Sequence, residues 1–426
     1  MKSSEFEKCY KDYTPLKVGK DIIEKLRRFS DVSSVYDDAS KKFPAAEHVS
    51  RSGADEDIRV FFELLKYSYA GYDYYKDICD FDKIRDELIA SVPESGLSSG
   101  ELKKRIHSSL KDIINDTHFS FAGTPYLEFG HLFRAYFSDI VFEKRGDKLT
   151  IISEGELHGK MFGSSEISDE NLFLTLPSPS GAARFLFGEY TENPSGALEL
   201  CGISVPLHVC RTDEITENNV PLYDEETLGV PTVYHTSYVL DPSKLSEFSD
   251  MGTKYSGAKN LIWSVMNNRG GASGFPEAFT KALSGYANWE LELAELISPL
   301  FEKENENADE KRYSIFVSDR NDPSRSGFEG KLYLLQNKRV SSSGEAAIMY
   351  ARSVKNSATV GSASCGCGQF GDVKWYRLPN SNICFLMGFK VFNMTGFTEG
   401  RGILPDYWID SADPAKTVAE YINSTK

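Results

Sequence analysis

Long apolar runs, a basic stripe and a cysteine framework are what this 426-residue sequence does without. Nowhere does it offer the roughly 18 uninterrupted apolar residues of a membrane-spanning helix, so no membrane span is expected. The opening stretch MKSSEFEKCYKDYTPLKVGK has no apolar h-region. As written the chain therefore reads as cytoplasmic, or as exported only if a signal has been removed. Lysine and arginine number 48 against 63 acidic residues, a net charge of −15. With no basic stripe to neutralise phosphates, nucleic acid is not an expected partner. Seven cysteines, an odd number scattered over a long chain, do not make a disulfide framework and fit a reducing compartment better. The seven histidines form no H-E-x-x-H pair. Cys365 and Cys367, in SCGCGQ, stand too close for a C-x-x-C knuckle and lack a second pair. Neither a metal nor any other cofactor is expected.

What the sequence does have is the composition of a folded protein, 40% hydrophobic and 12% aromatic, at a length suited to two or three domains. Residues 1–54 read as a polar leader with one helix around VGKDIIEKLRRF. Residues 55–124 read as an N-terminal helical bundle. There Ile58, Phe61, Phe62, Leu65 and Tyr69 share one helical face that Gly71 should stop, and a Ser98-x-x-Glu101 capping box opens another helix. From 125 to 225 the texture changes to short β-type runs, DKLTIIS, NLFLTL, ARFLFGEY and ISVPLHV, broken by Gly, Pro, Ser and Asn. This predicts an inserted β-rich domain. In 226–426, NLIWSVM precedes PEAFTKALSGY, and KLYLLQ precedes GEAAIMYARSV and ATVG. Such alternation predicts an α/β core on a mixed, largely parallel sheet with right-handed crossovers. EKENENADEK at 302–311 reads as a charged, exposed loop.

Three stretches carry candidate chemistry. In VSSSGEAAIMY, residues 340–350, Ser342 and Glu345 match the S-x-x-E capping box, which by itself predicts a helix start and nothing more. NLIWSVMNNRGGASG, residues 260–274, ends a buried-strand pattern in a glycine-rich turn. That turn lacks the lysine of a phosphate loop and the spacing of G-x-G-x-x-G, so it serves as a tight turn or as an oxyanion hole. NDTHFSF, residues 115–121, places His118 after the last bundle helix, entering an extended segment.

Their order resembles the carboxy-terminal processing protease and tricorn-core family of serine peptidases, over about residues 55–410. The matching stretches are NDTHFSF, NLIWSVMNNRGG, RVSSSGEAA and TEGRGILPDYWID. The resemblance implies a ClpP/crotonase-like core and a serine-type endopeptidase or processing peptidase acting on protein or peptide substrates. It implies Ser342 as nucleophile, His118 as general base and Glu399 as the group that holds the imidazole. Gly270, Gly271 and Ser343 would supply oxyanion N–H groups, and Thr117 would take the place of a serine that can precede the histidine. One branch of the family uses a lysine as base, but Cys367 stands at that position here, so the histidine branch is the better match. Ser264 and Met266 stand where the family usually has aspartate and arginine. The alternative is a non-catalytic binding module on the same fold, carrying an apolar ligand or a peptide. Nothing in the sequence fixes the oligomeric state.

Overall fold

Helices begin where the sequence places a side-chain oxygen ahead of an apolar stripe. The computed structural model describes residues 3–10, 18–32, 38–216, 218–301 and 311–425. Within them Ser50 accepts from Gly53 N–H ahead of helix Arg51–Ser68. Asp80 does the same for Lys83 N–H ahead of Phe81–Ser91, and Ser98 for Glu101 N–H ahead of Ser99–Leu110. Each satisfies one donor that a helix start otherwise leaves unpaired. Contacts divide the chain into two compact units, Met1–His131 with Leu291–Ser318 and Cys367–Gly400, and Leu132–Glu290 with Asp319–Gly366 and Arg401–Lys426.

In the first unit the face predicted for helix Arg51–Ser68 is the buried one: Ile58, Phe61, Phe62 and Leu65 are all in the core. The helix ends at Ser68, ahead of Gly71. Phe61 packs on Phe119, Phe121 and Phe385, with ring centroids 6.2, 5.7 and 5.1 Å away. Each such fully buried side chain is worth about 2 kcal/mol of transfer free energy. The cluster pins a six-stranded antiparallel sheet in the order Tyr313–Val317, Leu291–Leu296, Cys384–Met394, Ser120–Phe121, Leu127–Glu128, with Phe370–Arg377 also paired to Cys384–Met394.

The second unit holds a mixed sheet in the order Leu222–Thr227, Val230–His235, Asn260–Ser264, Lys331–Gln336, Ser357–Gly361, Tyr407–Trp408. Only its first pair is antiparallel; the remaining neighbours run parallel. Asn260–Ser264 and Lys331–Gln336 are apolar almost throughout and buried, as strands covered on both faces must be. Helices Leu245–Tyr255, Gly274–Ser284 and Ser343–Ala351 lie between successive parallel strands in the chain. Residues 134–209 supply a separate antiparallel sheet of six strands, with Arg134–Arg145 and Arg184–Thr191 at its centre and His208–Val209 paired to Arg134–Arg145.

Two features depart from the sequence reading. Segments 291–318 and 367–400 belong to the first unit although they lie in the stretch expected to form one continuous core, because their strands pair with Cys384–Met394 and Ser120–Phe121. In the polar leader, Phe6, Tyr10 and Leu26 are buried in the first unit's core. Of the charged loop expected at 302–311, residues 302–310 lie outside the described residues.

Candidate functional site

Strands Asn260–Ser264 and Lys331–Gln336 are parallel neighbours in register, Ser264 opposite Leu335, so the loops that leave their carboxyl ends lie side by side. Ligands of open α/β sheets gather at such ends. The two loops are stitched together. Asn267 N–H donates to Asn337 Oδ1 at 3.0 Å and Asn337 Nδ2 returns a bond to Asn267 Oδ1 at 2.9 Å. Ser341 N–H donates to the Asn268 carbonyl at 3.0 Å, and the Ser341 and Ser343 hydroxyls donate to the carbonyls of Arg269 and Gly271 at 3.1 and 2.7 Å.

At the head of helix Ser343–Ala351, Ser342 is held at φ +54°, ψ −124°. A serine in this region carries about 1–3 kcal/mol of strain, which persists only where the surroundings impose it. The surroundings are visible. Glu345, buried, accepts from Ser342 N–H at 3.2 Å, from the Ser364 hydroxyl at 2.6 Å and from Gly366 N–H at 2.8 Å. On the other side Gly270, at φ +100°, leaves no room: a Cβ there would lie 2.8 Å from Ser342 Cβ. Gly270 N–H is already given to Asn268 Oδ1 at 2.9 Å. The expected oxyanion role of that amide therefore does not fit, and the glycine serves by being small. Among the described residues, the N–H groups of Gly271 and Ser343 make no hydrogen bond.

In the first unit, His118 sits between the end of helix Ser99–Leu110 and strand Ser120–Phe121. Its neighbour Phe119 is fully buried, 4.4 Å from Phe129, and fixes the chain on the aromatic core. Asp116 closes the turn by accepting from the N–H groups of His118 and Phe119 at 2.8 and 3.1 Å, an Asx-type turn, while its other oxygen takes the Tyr69 hydroxyl at 2.9 Å. The imidazole Nδ1 lies 3.2 Å from Cys367 Sγ. Burial pushes the His118 pKa down to about 4, against the charge of Asp372 and a Phe370 backbone hydrogen bond that act upward. At neutral pH the ring is uncharged and able to take a proton.

Glu399 lies within 4.8 Å of the His118 ring, but its hydrogen bonds go elsewhere. Instead of holding the imidazole, its carboxylate accepts from Thr117 N–H and hydroxyl at 3.0 and 2.6 Å, and from Gly368 and Gln369 N–H at 3.3 and 2.8 Å. It thus ties the His118 segment to the turn that carries Cys367. Burial pushes its pKa up, and the nearby Asp116 charge adds to this; burial raises Asp116 as well. The ligand atoms of Asp116, His118 and Glu399 all lie within 4.8 Å of one another, the separation a metal would need. All four carboxylate oxygens, however, already accept protein N–H or O–H bonds, which fits a closed polar network better than a metal's ligand set.

No family model matches the chain, and no curated protein matches it. Among solved structures it is similar to mature CPAF complexed with lactacystin, with a TM-score of 0.48, 13% identity, and coverage of 88% of this chain and 98% of that one. It is similar to the photosystem II D1 C-terminal processing protease, with a TM-score of 0.42, 12% identity and coverage of 88% and 97%. It is also similar to the tricorn protease, with a TM-score of 0.41, 14% identity and coverage of 88% and 36%.

Residue reasoning missed Asn268, Asn337 and Asp116, all buried and all working through side-chain amides or carboxylates. The paired asparagines of MNNRGG and the D-x-H of NDTH were the available signals. Ser264 and Met266 are buried, and Met266 belongs to an apolar cluster.

Proposed function

We propose that the chain is a serine peptidase that cleaves protein or peptide substrates through an acyl-enzyme on Ser342, with His118 as general base. The observation that carries this reading is the strained backbone of Ser342 at a helix start, beside two N–H groups that make no bond. In the proposed cycle Ser342 Oγ attacks the peptide carbonyl carbon while His118 takes its proton. The oxyanion is met by Gly271 and Ser343 N–H, and His118 then gives the proton to the departing amine. Water repeats the sequence on the acyl ester and frees the acid. Cys367 holds the imidazole through Nδ1, the position a carboxylate has in the Ser-His-Asp triad, while Asp116 and Glu399 hold the segments that bear His118 and Cys367.

The test is labelling by a fluorophosphonate, with the adduct mapped by mass spectrometry. An adduct on Ser342 supports the proposal; uptake of an apolar ligand with no adduct supports a carrier. A second reading follows from the 3.2 Å approach of Cys367 Sγ to His118, since a thiol beside an imidazole is itself a nucleophile pair. If Cys367→Ala is silent while Ser342→Ala still turns over, the thiol is the nucleophile.

A further inference from the structure

Strand Asn260–Ser264 turns successive side chains to opposite faces of its sheet. Trp263 meets Phe279 of helix Gly274–Ser284, the helix against which Ser343–Ala351 also packs. Ile262 instead shares an apolar cluster with Val418, Ala419 and Ile422 of the C-terminal helix Pro414–Ser424. Ser264, two residues from Ile262, therefore points to the face of the C-terminal helix, away from the helix that Ser342 opens. A cavity of about 170 Å³ lies there in the second unit, and Ser264 is part of its wall. Ile215, Met266, Leu335 and Ala415 give the wall apolar surface, and Tyr223 and Tyr234 line it as a stacked pair with centroids 4.4 Å apart. Several polar side chains of the wall are already engaged. The Thr236 hydroxyl donates to the Val220 carbonyl, Asn218 accepts from Val220 N–H and Asp413 from Lys416 N–H. Ser264 is different. It is 4% exposed and, among the described residues, its hydroxyl makes no hydrogen bond. A buried polar group without a partner costs about 1–3 kcal/mol, so a ligand with one group to meet the hydroxyl gains what the empty wall lacks.

The size and charge of the wall narrow that ligand. A dry cavity of roughly 150 Å³ accepts benzene, so there is room for one six-membered ring. The tyrosine pair and the Met266 thioether favour an aromatic ring over a saturated one. Among its described residues the wall holds no lysine, arginine or histidine but does hold Asp413, which disfavours a carboxylate. We propose that the cavity binds a free, neutral, phenol-sized aromatic molecule whose hydroxyl pairs with Ser264, and that its occupancy alters the reactivity of Ser342. The second half rests on the serine peptidase reading; the first stands without it. The link is Asn267. Its Nδ2 donates to the carbonyls of Ile215 and Thr216 in the cavity wall at 3.3 and 3.4 Å, while its N–H and Oδ1 hold Asn337. The next residue, Asn268, accepts from Ser341 N–H and Gly270 N–H. A ring that moves the wall therefore acts, through bonded neighbours, on the loop that carries Ser342.

The experiment titrates the full chain with phenol, toluene, cyclohexanol and benzoate by ligand-detected NMR. Phenol should bind saturably and about fivefold more tightly than toluene, the worth of one neutral hydrogen bond, and more tightly than cyclohexanol or benzoate. In Ser264→Ala phenol should fall to the level of toluene while toluene stays unchanged, which a merely damaged protein would not do. Ala412→Trp, at an exposed position of the wall, should lose both ligands while keeping the wild-type melting temperature. Absence of saturable phenol binding overturns the site, as does a phenol-to-toluene ratio near one or a ratio that Ser264→Ala leaves unchanged. Equal binding of cyclohexanol or benzoate overturns the ligand class. Displacement of phenol by N-acetyltyrosinamide at equal concentration assigns the ring to a peptide side chain and overturns a site for a free molecule. The rate of fluorophosphonate labelling at Ser342 should change at least twofold under saturating phenol, and the change should be absent in Ala412→Trp; an unchanged wild-type rate overturns the link. If no adduct forms with or without phenol, the peptidase reading fails and the link fails with it, while the titrations still decide the site by themselves.

Discussion

Ser342 and Gly270 form a contact that neither residue explains alone. A serine tolerates φ +54° there because Gly270 has no Cβ to meet it, and the first prediction is that Gly270→Ala lowers kcat at least tenfold. The added methyl, 2.8 Å from Ser342 Cβ, has to displace Ser342, and if that serine is the proposed nucleophile its displacement lowers the rate. Steady-state kinetics with the variant's melting temperature would check this; an unchanged kcat removes Gly270 from the nucleophile's support. Gly271 behaves differently. A side chain there would meet the Tyr238 backbone at 2.0 Å, so Gly271→Val should cost folding first, seen as a loss of several degrees in Tm. Ser342→Ala should abolish turnover while costing about 1 kcal/mol or less of stability, measurable by denaturant titration, because a helix cap is worth little beside a covalent route. Ser341→Ala and Ser343→Ala each remove one hydroxyl bond to a carbonyl and should retain turnover.

At the scale of elements, what could be read from the sequence was whatever is decided within one turn or one strand. The S-x-x-E stretch marked the start of helix Ser343–Ala351, the periodicity of Ile58 to Leu65 marked a buried helical face, and strand–helix alternation marked the parallel sheet. Hidden were the features decided by pairing over long distances. Strand Cys384–Met394 joins Leu291–Leu296 and Ser120–Phe121, and nothing local in its sequence says so. The same limit explains Glu399. The segment can be singled out from the sequence, but whether its carboxylate reaches an imidazole or the N–H groups of a neighbouring turn depends on the tertiary course of both segments. The placement found makes a distinct prediction for the 367–369 turn. With His118 lowered to about 4 by burial, activity should hold from neutral pH down to about 5 and fall only near 4, a limb that vanishes with turnover in His118→Ala. Cys367→Ala should lower kcat with little change in KM and move the limb up toward 6.5, since removing the sulfur at 3.2 Å admits water to the ring. A kcat and limb equal to wild type would leave Cys367 without a part in positioning the base.

Over the whole molecule, buried titrating groups set pH slopes of opposite sign. Burial lowers His118 to about 4 and His235 to about 3, the latter ringed by Tyr238, Phe248, Trp263 and Phe279 with Nδ1 3.0 Å from the Tyr238 hydroxyl. Below an unfolded pKa of about 6.5 the unfolded chain binds protons that the native chain refuses, so these rings cost stability as pH falls. Asp116 and Glu399 act the other way. Their folded pKa values are raised, so their contribution is fully present below the unfolded value of about 4 and is lost as pH rises through the folded values. Replacing Glu399 by Gln supplies a side chain that is always neutral, and so it should remove one of these losses. The amide also sets an NH2 against backbone donors that a carboxylate oxygen now accepts, so the variant should start less stable at pH 5. The informative quantity is therefore the slope: between pH 5 and 9 the Tm of Glu399→Gln should fall less than that of the wild type, narrowing the gap as pH rises. Thermal melts across that range in both proteins measure it directly. Parallel curves would mean that Glu399 is already ionised throughout, held so by its four donors, and that burial does not govern the pair.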